Sequence, residues 1–115
     1  DGSSGQALTT NGSGTLSFAT VGGSAAYNDW SIKTSAYTAS SKDQLIVNSG
    51  SAVTITLPAS PSAGDTVIIC SAGAGAVTVG RNSSNINSAA EDGTINQNGS
   101  VQLVYVDSTI GWFAI

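Results

Sequence analysis

The sequence predicts an all-β fold, specifically a small antiparallel β-sandwich of jelly-roll-like character. An extended N-terminal hairpin arm precedes it, and the whole is expected to form a homo-oligomer. Three observations lead there. Period-two alternation of apolar and polar residues recurs between turn residues along the chain. Heptad-like spacing is missing, and Gly, Ser, Thr and Asn recur too often for helix interiors. Finally, three late segments carry apolar residues on both faces, which a lone two-sheet domain cannot bury.

The first residues read as an arm. In GQALTTNGSGTLSFAT, Asn11-Gly12 suits the positive φ angles of a tight hairpin turn. Leu8, Leu16 and Phe18 are its sizeable anchors, and a lone hairpin is marginal in water, so it must lean on something else. VGGSAA follows as a joint, giving a stem over 1–26 and a body over 27–115. In NDWSIKT, Trp30 and Ile32 share one side. QLIVN (44–48) is the first clear strand of the body. VTITL (53–57) turns Val53, Ile55 and Leu57 one way and Thr54 and Thr56 the other, a half-buried strand with a wet face.

Next comes LPASPSAGD, which holds both prolines. Pro58 fixes φ and stops the strand, Pro61 stiffens the crossing, and Asp65 can bind local amides. The connector reads as a device that sets which strand pairs with which and prevents slippage. DTVIIC (65–70) is apolar on both faces, AVTV (76–79) alternates, and NSSNINSAAEDG (82–93) is a polar loop with Ile86 turned inward. TINQN (94–98) is a weak strand. VQLVYV (101–106) and IGWFAI (110–115) are again apolar on both faces. Covering a face bearing Val104, Val106, Phe113 and Ile115 would supply several kcal/mol at about 25 cal/mol per Å². A homo-oligomer follows as an expectation, with three-layer packing inside one chain as the alternative.

Composition narrows the function. Charged residues make up 9% of the 115, against about 25% in ordinary soluble domains, which suits a particle exterior or secreted β-protein. The three basic residues, Lys33, Lys42 and Arg81, are scattered, which argues against a nucleic-acid partner. No apolar run approaches the roughly 20 residues of a spanning helix, so no membrane partner is expected. The chain opens at Asp1 and contains no methionine, which reads as a processed product or part of a longer polypeptide.

Histidine is absent, which removes Ser-His-acid catalysis. Glu91-Asp92 are adjacent in a loop and the remaining acids isolated, unlike the spaced carboxyl pair of glycoside hydrolysis. Asp65 and Asp107 read as turn caps, since no EF-hand-like spacing supports calcium. Cys70, the single cysteine, reads as a plain buried thiol. No catalytic residue, metal or cofactor is expected. For contact with a glycan or a partner the candidates are Tyr27, Trp30 and Tyr37, together with Asn82, Asn85 and Asn87 of the polar loop. Trp30 could equally anchor the arm to the body, and Trp112 reads as a core plug.

ITLPASPSAGDTVII, AVTV and the closing VQLVYVDSTIGWFAI resemble a recurrent β-domain of bacteriophage virion proteins. DGSSGQALTTNGSGTLSFA resembles the GQ-L-T-(N/D)-G-G-L-(S)-(F/W) motif repeated in phage fibre stems, notably of marine and cyanobacterial phages. The resemblance implies a non-enzymatic subunit of a tail fibre, capsid fibre or decoration protein on the virion surface. It further implies a trimer, attached to other virion proteins through its N-terminal arm, with adsorption to a host surface glycan as a further role. Long fibres carry many stem motifs and this chain has one, so a short knob or capsid-bound tip is the better match. A carbohydrate-binding module of a secreted or virion-borne protein is the competing expectation.

Overall fold

The computed structural model describes residues 27–115 and the strand backbone of 6–10 and 16–20. Strands β1 (Gln6–Thr10) and β2 (Leu16–Thr20) pair antiparallel, with Leu8 opposite Phe18. A hairpin is therefore present where the sequence places one. Its Asn11-Gly12 turn, the 21–26 joint and the side chains of Leu8, Leu16 and Phe18 lie outside the described residues.

The body is built from β3 (Trp30–Lys33), β4 (Tyr37–Thr38), β5 (Gln44–Val47), β6 (Val53–Thr56), β7 (Thr66–Ser71), β8 (Val77–Gly80), β9 (Gly93–Ile95), β10 (Ser100–Asp107) and β11 (Gly111–Ala114). They form a five-stranded sheet, β11-β10-β7-β5-β3, and a four-stranded sheet, β4-β6-β8-β9. From β3 to β8 the chain changes sheet after every strand, and each strand lies parallel to its neighbour one coil away. The chain thus winds in coils, as stacked-repeat proteins do. Antiparallel strands end the winding: β9 on β8, β10 on β7 and β11 on β10.

The all-β expectation holds, but the antiparallel one is corrected, since four strand pairs are parallel. Alternation has a period of two in either kind of ladder, so it carries no information on direction. The connector LPASPSAGD needs a second correction. It carries the chain from β6 in one sheet to β7 in the other, and these strands are not neighbours. Its internal brace is as expected: Ser62 N–H donates to Asp65 Oδ2 at 2.8 Å. Gly64, at φ 91°, donates to the Tyr105 carbonyl at 2.9 Å.

Gln44 pairs with Ile68 and Val53 with Val77, the same interval in both sheets. QLIVNSGSAVTIT therefore lies on IICSAGAGAVTVG residue by residue, an internal repeat of one coil. The corners between strands stack backbone on backbone. Gly75 N–H donates to the Ser49 carbonyl at 2.9 Å, and Ala72 N–H donates to that of Val47 at 2.8 Å. A Cβ on Gly73 would overlap the Ser49 backbone, and one on Gly75 the Ser51 backbone. Glycine stands there because no side chain fits.

One core serves both sheets. Leu45, Val47, Val67, Ile69, Leu103 and Trp112 enter it from the five-stranded sheet, and Val53, Ile55, Val77, Val79 and Ile95 from the other. Each fully buried Leu, Ile or Val supplies about 1.5–3 kcal/mol. Trp112 is fully buried, as the core-plug reading expected, with Tyr105 edge-on at 5.5 Å. Its Nε1 and the Ser71 hydroxyl are buried without a partner among the described residues. Each such group carries a desolvation penalty of about 1–3 kcal/mol.

The stacked corner makes a sharp stability prediction. Gly75→Ala should lower unfolding free energy by about 2–3 kcal/mol in urea titrations, at the upper end of single substitutions. Gly50→Ala, with nothing within 4 Å of the added carbon, should change it by less than about 0.5 kcal/mol.

Candidate interaction face

Because Leu45, Val67, Ile69, Leu103 and Trp112 point inward, the residues between them point out of the five-stranded sheet. Strand register arranges these in rows. Trp30, Gln44, Ile68 and Gln102 form one, Ile32, Ile46, Cys70 and Ser100 a second, and Thr66, Val104 and Phe113 a third. No charged side chain interrupts them. Trp30 and Phe113 are each 50% exposed, Ile32 58% and Ile115 73%. Ile115 joins the face beside Gln102, whose carbonyl accepts its N–H at 2.8 Å. Val106 is exposed at the irregularity between Tyr105 and Asp107. The opposite sheet presents Thr54, Thr78 and Thr94 side by side, and Thr38 beside Thr56. One outer face is hydroxylated and the other is uncharged and mostly apolar.

The structure thus brings together Val104, Phe113 and Ile115, named as interface candidates, with Trp30, named as a contact candidate. Ile32, Ile46 and Ile68 belong to the same face and were not singled out as site residues. Their signal was present in the second faces of NDWSIKT, QLIVN and TVIIC. Cys70 also lies here, half-buried rather than enclosed, and burial pushes its thiol pKa up. The plain buried thiol is corrected accordingly. Parity in DTVIIC puts Val67 and Ile69 in the core and Cys70 outside.

Tyr27 crosses the face. Its hydroxyl accepts a hydrogen bond from Gln102 Nε2 at 2.8 Å, and Gln44 Nε2 donates to the Asn28 carbonyl at 2.9 Å. Residues 27 and 28 therefore satisfy the two amides in the middle row.

Tyr37 sits elsewhere, in a clasp around Asp43. That carboxylate is 8% exposed and accepts from Asn28 Nδ2 at 2.8 Å, the Tyr37 hydroxyl at 3.1 Å and Ser40 N–H at 2.8 Å. Lys33 Nζ lies 3.8 Å from the Tyr37 ring centroid, so a cation already occupies one ring face. This arrangement pins the first coil and leaves Tyr37 poorly placed to stack on a sugar.

The polar loop is also committed internally. Asn82 Nδ2 donates to the Leu57 carbonyl and Asn85 Nδ2 to that of Thr109, each at 2.9 Å, while Asn87 Oδ1 accepts from Ala114 N–H at 2.9 Å. Asn82-Ser83 and Asn87-Ser88 are consecutive positive-φ pairs, a conformation asparagine tolerates. The second pair turns a hairpin closed by reciprocal bonds between Ile86 and Ala89. Ile86 is half-buried against the core, as expected, and bridges to Trp112. Asn85 and Asn87 thus brace β11 and the turn before it, and Asn82 braces the end of β6.

Asp65 and Asp107 accept backbone N–H bonds at turns, and Asp92 accepts that of Arg81 across the polar loop. Among the described residues no group of three or more His, Cys, Asp or Glu could hold a metal ion.

No family model matches the chain, and no curated protein matches it. A solved structure described as "Structure of a chaperone-substrate complex" contains a similar chain, with a TM-score of 0.51 and 21% identity over 68% of this chain. The match spans 13% of that much longer chain, and at this identity it speaks for the fold alone.

Burial, and next the charge of Asp43, raise the Tyr37 pKa above the ordinary 10. The neutral phenol is thus favoured in the native state. Its contribution is fully present below pH about 10 and is lost as pH rises through the raised folded value. Chemical denaturation at a series of alkaline pH values should show stability falling above pH about 10. Tyr37→Phe should flatten that fall.

Proposed function

We propose that the chain is a non-enzymatic structural subunit of a bacteriophage virion, in a fibre, knob or capsid-decoration protein. It self-associates as a trimer through the outer face of its five-stranded sheet. Residues 1–26 attach it to other virion proteins, and its work is particle assembly and adsorption at a host surface. The observation that carries this reading is the uncharged apolar face bearing Trp30, Ile32, Val104, Phe113 and Ile115. Apolar patches of this kind mark interaction sites on soluble proteins. Burying such a face removes no charge from water, so none of the penalty of an unpaired buried ion opposes it. A few hundred Å² covered per copy supplies several kcal/mol, enough to offset much of the entropy lost on association. The resemblance of the strand, connector and closing motifs to phage virion domains supplies the biological setting.

Sedimentation velocity checks the reading. At micromolar concentration the chain should run as a trimer, and Ile32→Glu combined with Phe113→Glu should return it to monomer with its circular dichroism unchanged. A wild-type monomer under those conditions overturns the proposal.

The exposed indole of Trp30, beside the Gln44 amide, favours a second reading, a carbohydrate-binding module. On a glycan array that reading requires saturable binding that Trp30→Ala abolishes. Absence of any bound glycan removes it.

A further inference from the structure

The last strands leave a cavity of about 200 Å³ at the end of the core. Its apolar wall includes Ile86 of the loop, Ile95 of β9, and Val101 and Leu103 of β10; Asn87 and Gly93 complete part of its rim. No lining residue is ionisable. The site opens to solvent at the end of the sheets, apart from the outer face described above, and no role assigned so far uses it.

We propose that this cavity is a binding site for a small uncharged molecule with a single apolar ring and one hydrogen-bond acceptor. Size points to a ring, because a purely apolar cavity of about 150 Å³ is sufficient for benzene. Neutrality follows from the wall, which has no counter-charge to offset desolvation of an ion. The acceptor follows from Asn87. Its Oδ1 is held by Ala114 N–H at 2.9 Å, and among the described residues its Nδ2 donates to nothing, so a fixed donor remains at an exposed position on the rim. Aliphatic side chains with a few polar groups among them, here including Asn87 and Thr94, are the usual form of a small-molecule site. The Asn87-Ser88 turn, with φ 49° and 66°, holds that amide on a closed hairpin rather than a free loop.

Titration of the full chain with p-cresol, followed by methyl NMR, tests the site. Saturable shifts should appear at Val79, Ile86, Ile95, Val101 and Leu103 and leave Ile32, Ile46 and Ile68 of the outer face unmoved. Val101→Phe, which fills the cavity, should weaken binding at least tenfold. Should that variant fail to fold, Gly93→Ala is the substitute, because its added carbon meets only Val79, at 3.6 Å. It narrows the cavity and should weaken binding several-fold. The same titration with 4-methylbenzoate should give no saturable shift. Three results overturn the proposal: no saturation with p-cresol, shifts that persist in the folded variant, or equal binding of the carboxylate. Each can occur whether or not the outer face associates, so the oligomer reading and this one fail separately.

Discussion

The structure depends on one close approach, the corner where Gly73 and Gly75 lie directly on the backbone of Ser49 and Ser51. Here the peptide groups of one coil bond those of the next without a side chain between them. That contact sets the spacing of β5 on β7 and of β6 on β8 together. The two parallel ladders consequently share one register, and a single offset governs both sheets. A slip by one residue would expose Leu45, Val47, Ile69, Val53, Ile55 and Val77 all at once. The corner therefore does for register what the proline connector cannot, since the connector joins strands that never pair.

With the core fixed in this way, the outer faces are free to differ, and they do. Threonines line the four-stranded sheet, where β-branching suits an extended backbone and the hydroxyl suits water. Tryptophan, isoleucine, valine and phenylalanine line much of the five-stranded sheet. Neither composition is needed for the coil to close, because the inward residues alone make up the core cluster. The apolar choice on one side only is thus a property of that surface and not a by-product of folding.

Much of this was legible in the chain, residue by residue. The inward set of VTITL, the burial of Trp112, the half-buried Ile86 and the turn bonds of Asp65 and Asp107 all follow from alternation and turn chemistry. Strand direction did not follow, because parallel and antiparallel strands write the same alternation. It could have been read from another signal: SGSAVTIT against GAGAVTVG is a repeat at one coil's interval, with glycine replacing serine where the stack tightens. The outer face was half legible. TVIIC, VQLVYV and IGWFAI announced a second apolar side, whereas Ile32 and Ile46 became part of it only once β3 and β5 were placed in register beside β7. For Tyr37 and the loop asparagines the obstacle was different. Their partners, Asp43, Leu57, Thr109 and Ala114, are brought to them by the fold, and no local pattern foretells that.

How copies could meet is constrained by what covers the sheet edges. The free side of β11 is blocked: Ile86 bridges to Trp112, Asn87 N–H donates to the Trp112 carbonyl, and Ala114 N–H is held by Asn87 Oδ1. An incoming strand would have to displace the whole 85–88 hairpin before finding a free peptide group, which protects that edge against strand addition. At that side, association in the proposed assembly has to proceed through side chains, face against face. The face itself is not flat. Tyr27 is tied by its hydroxyl to Gln102 in the middle row, beside Val104 of the same strand. A partner surface must accommodate that side chain. Such relief gives an apolar contact an orientation that hydrophobic burial alone does not provide.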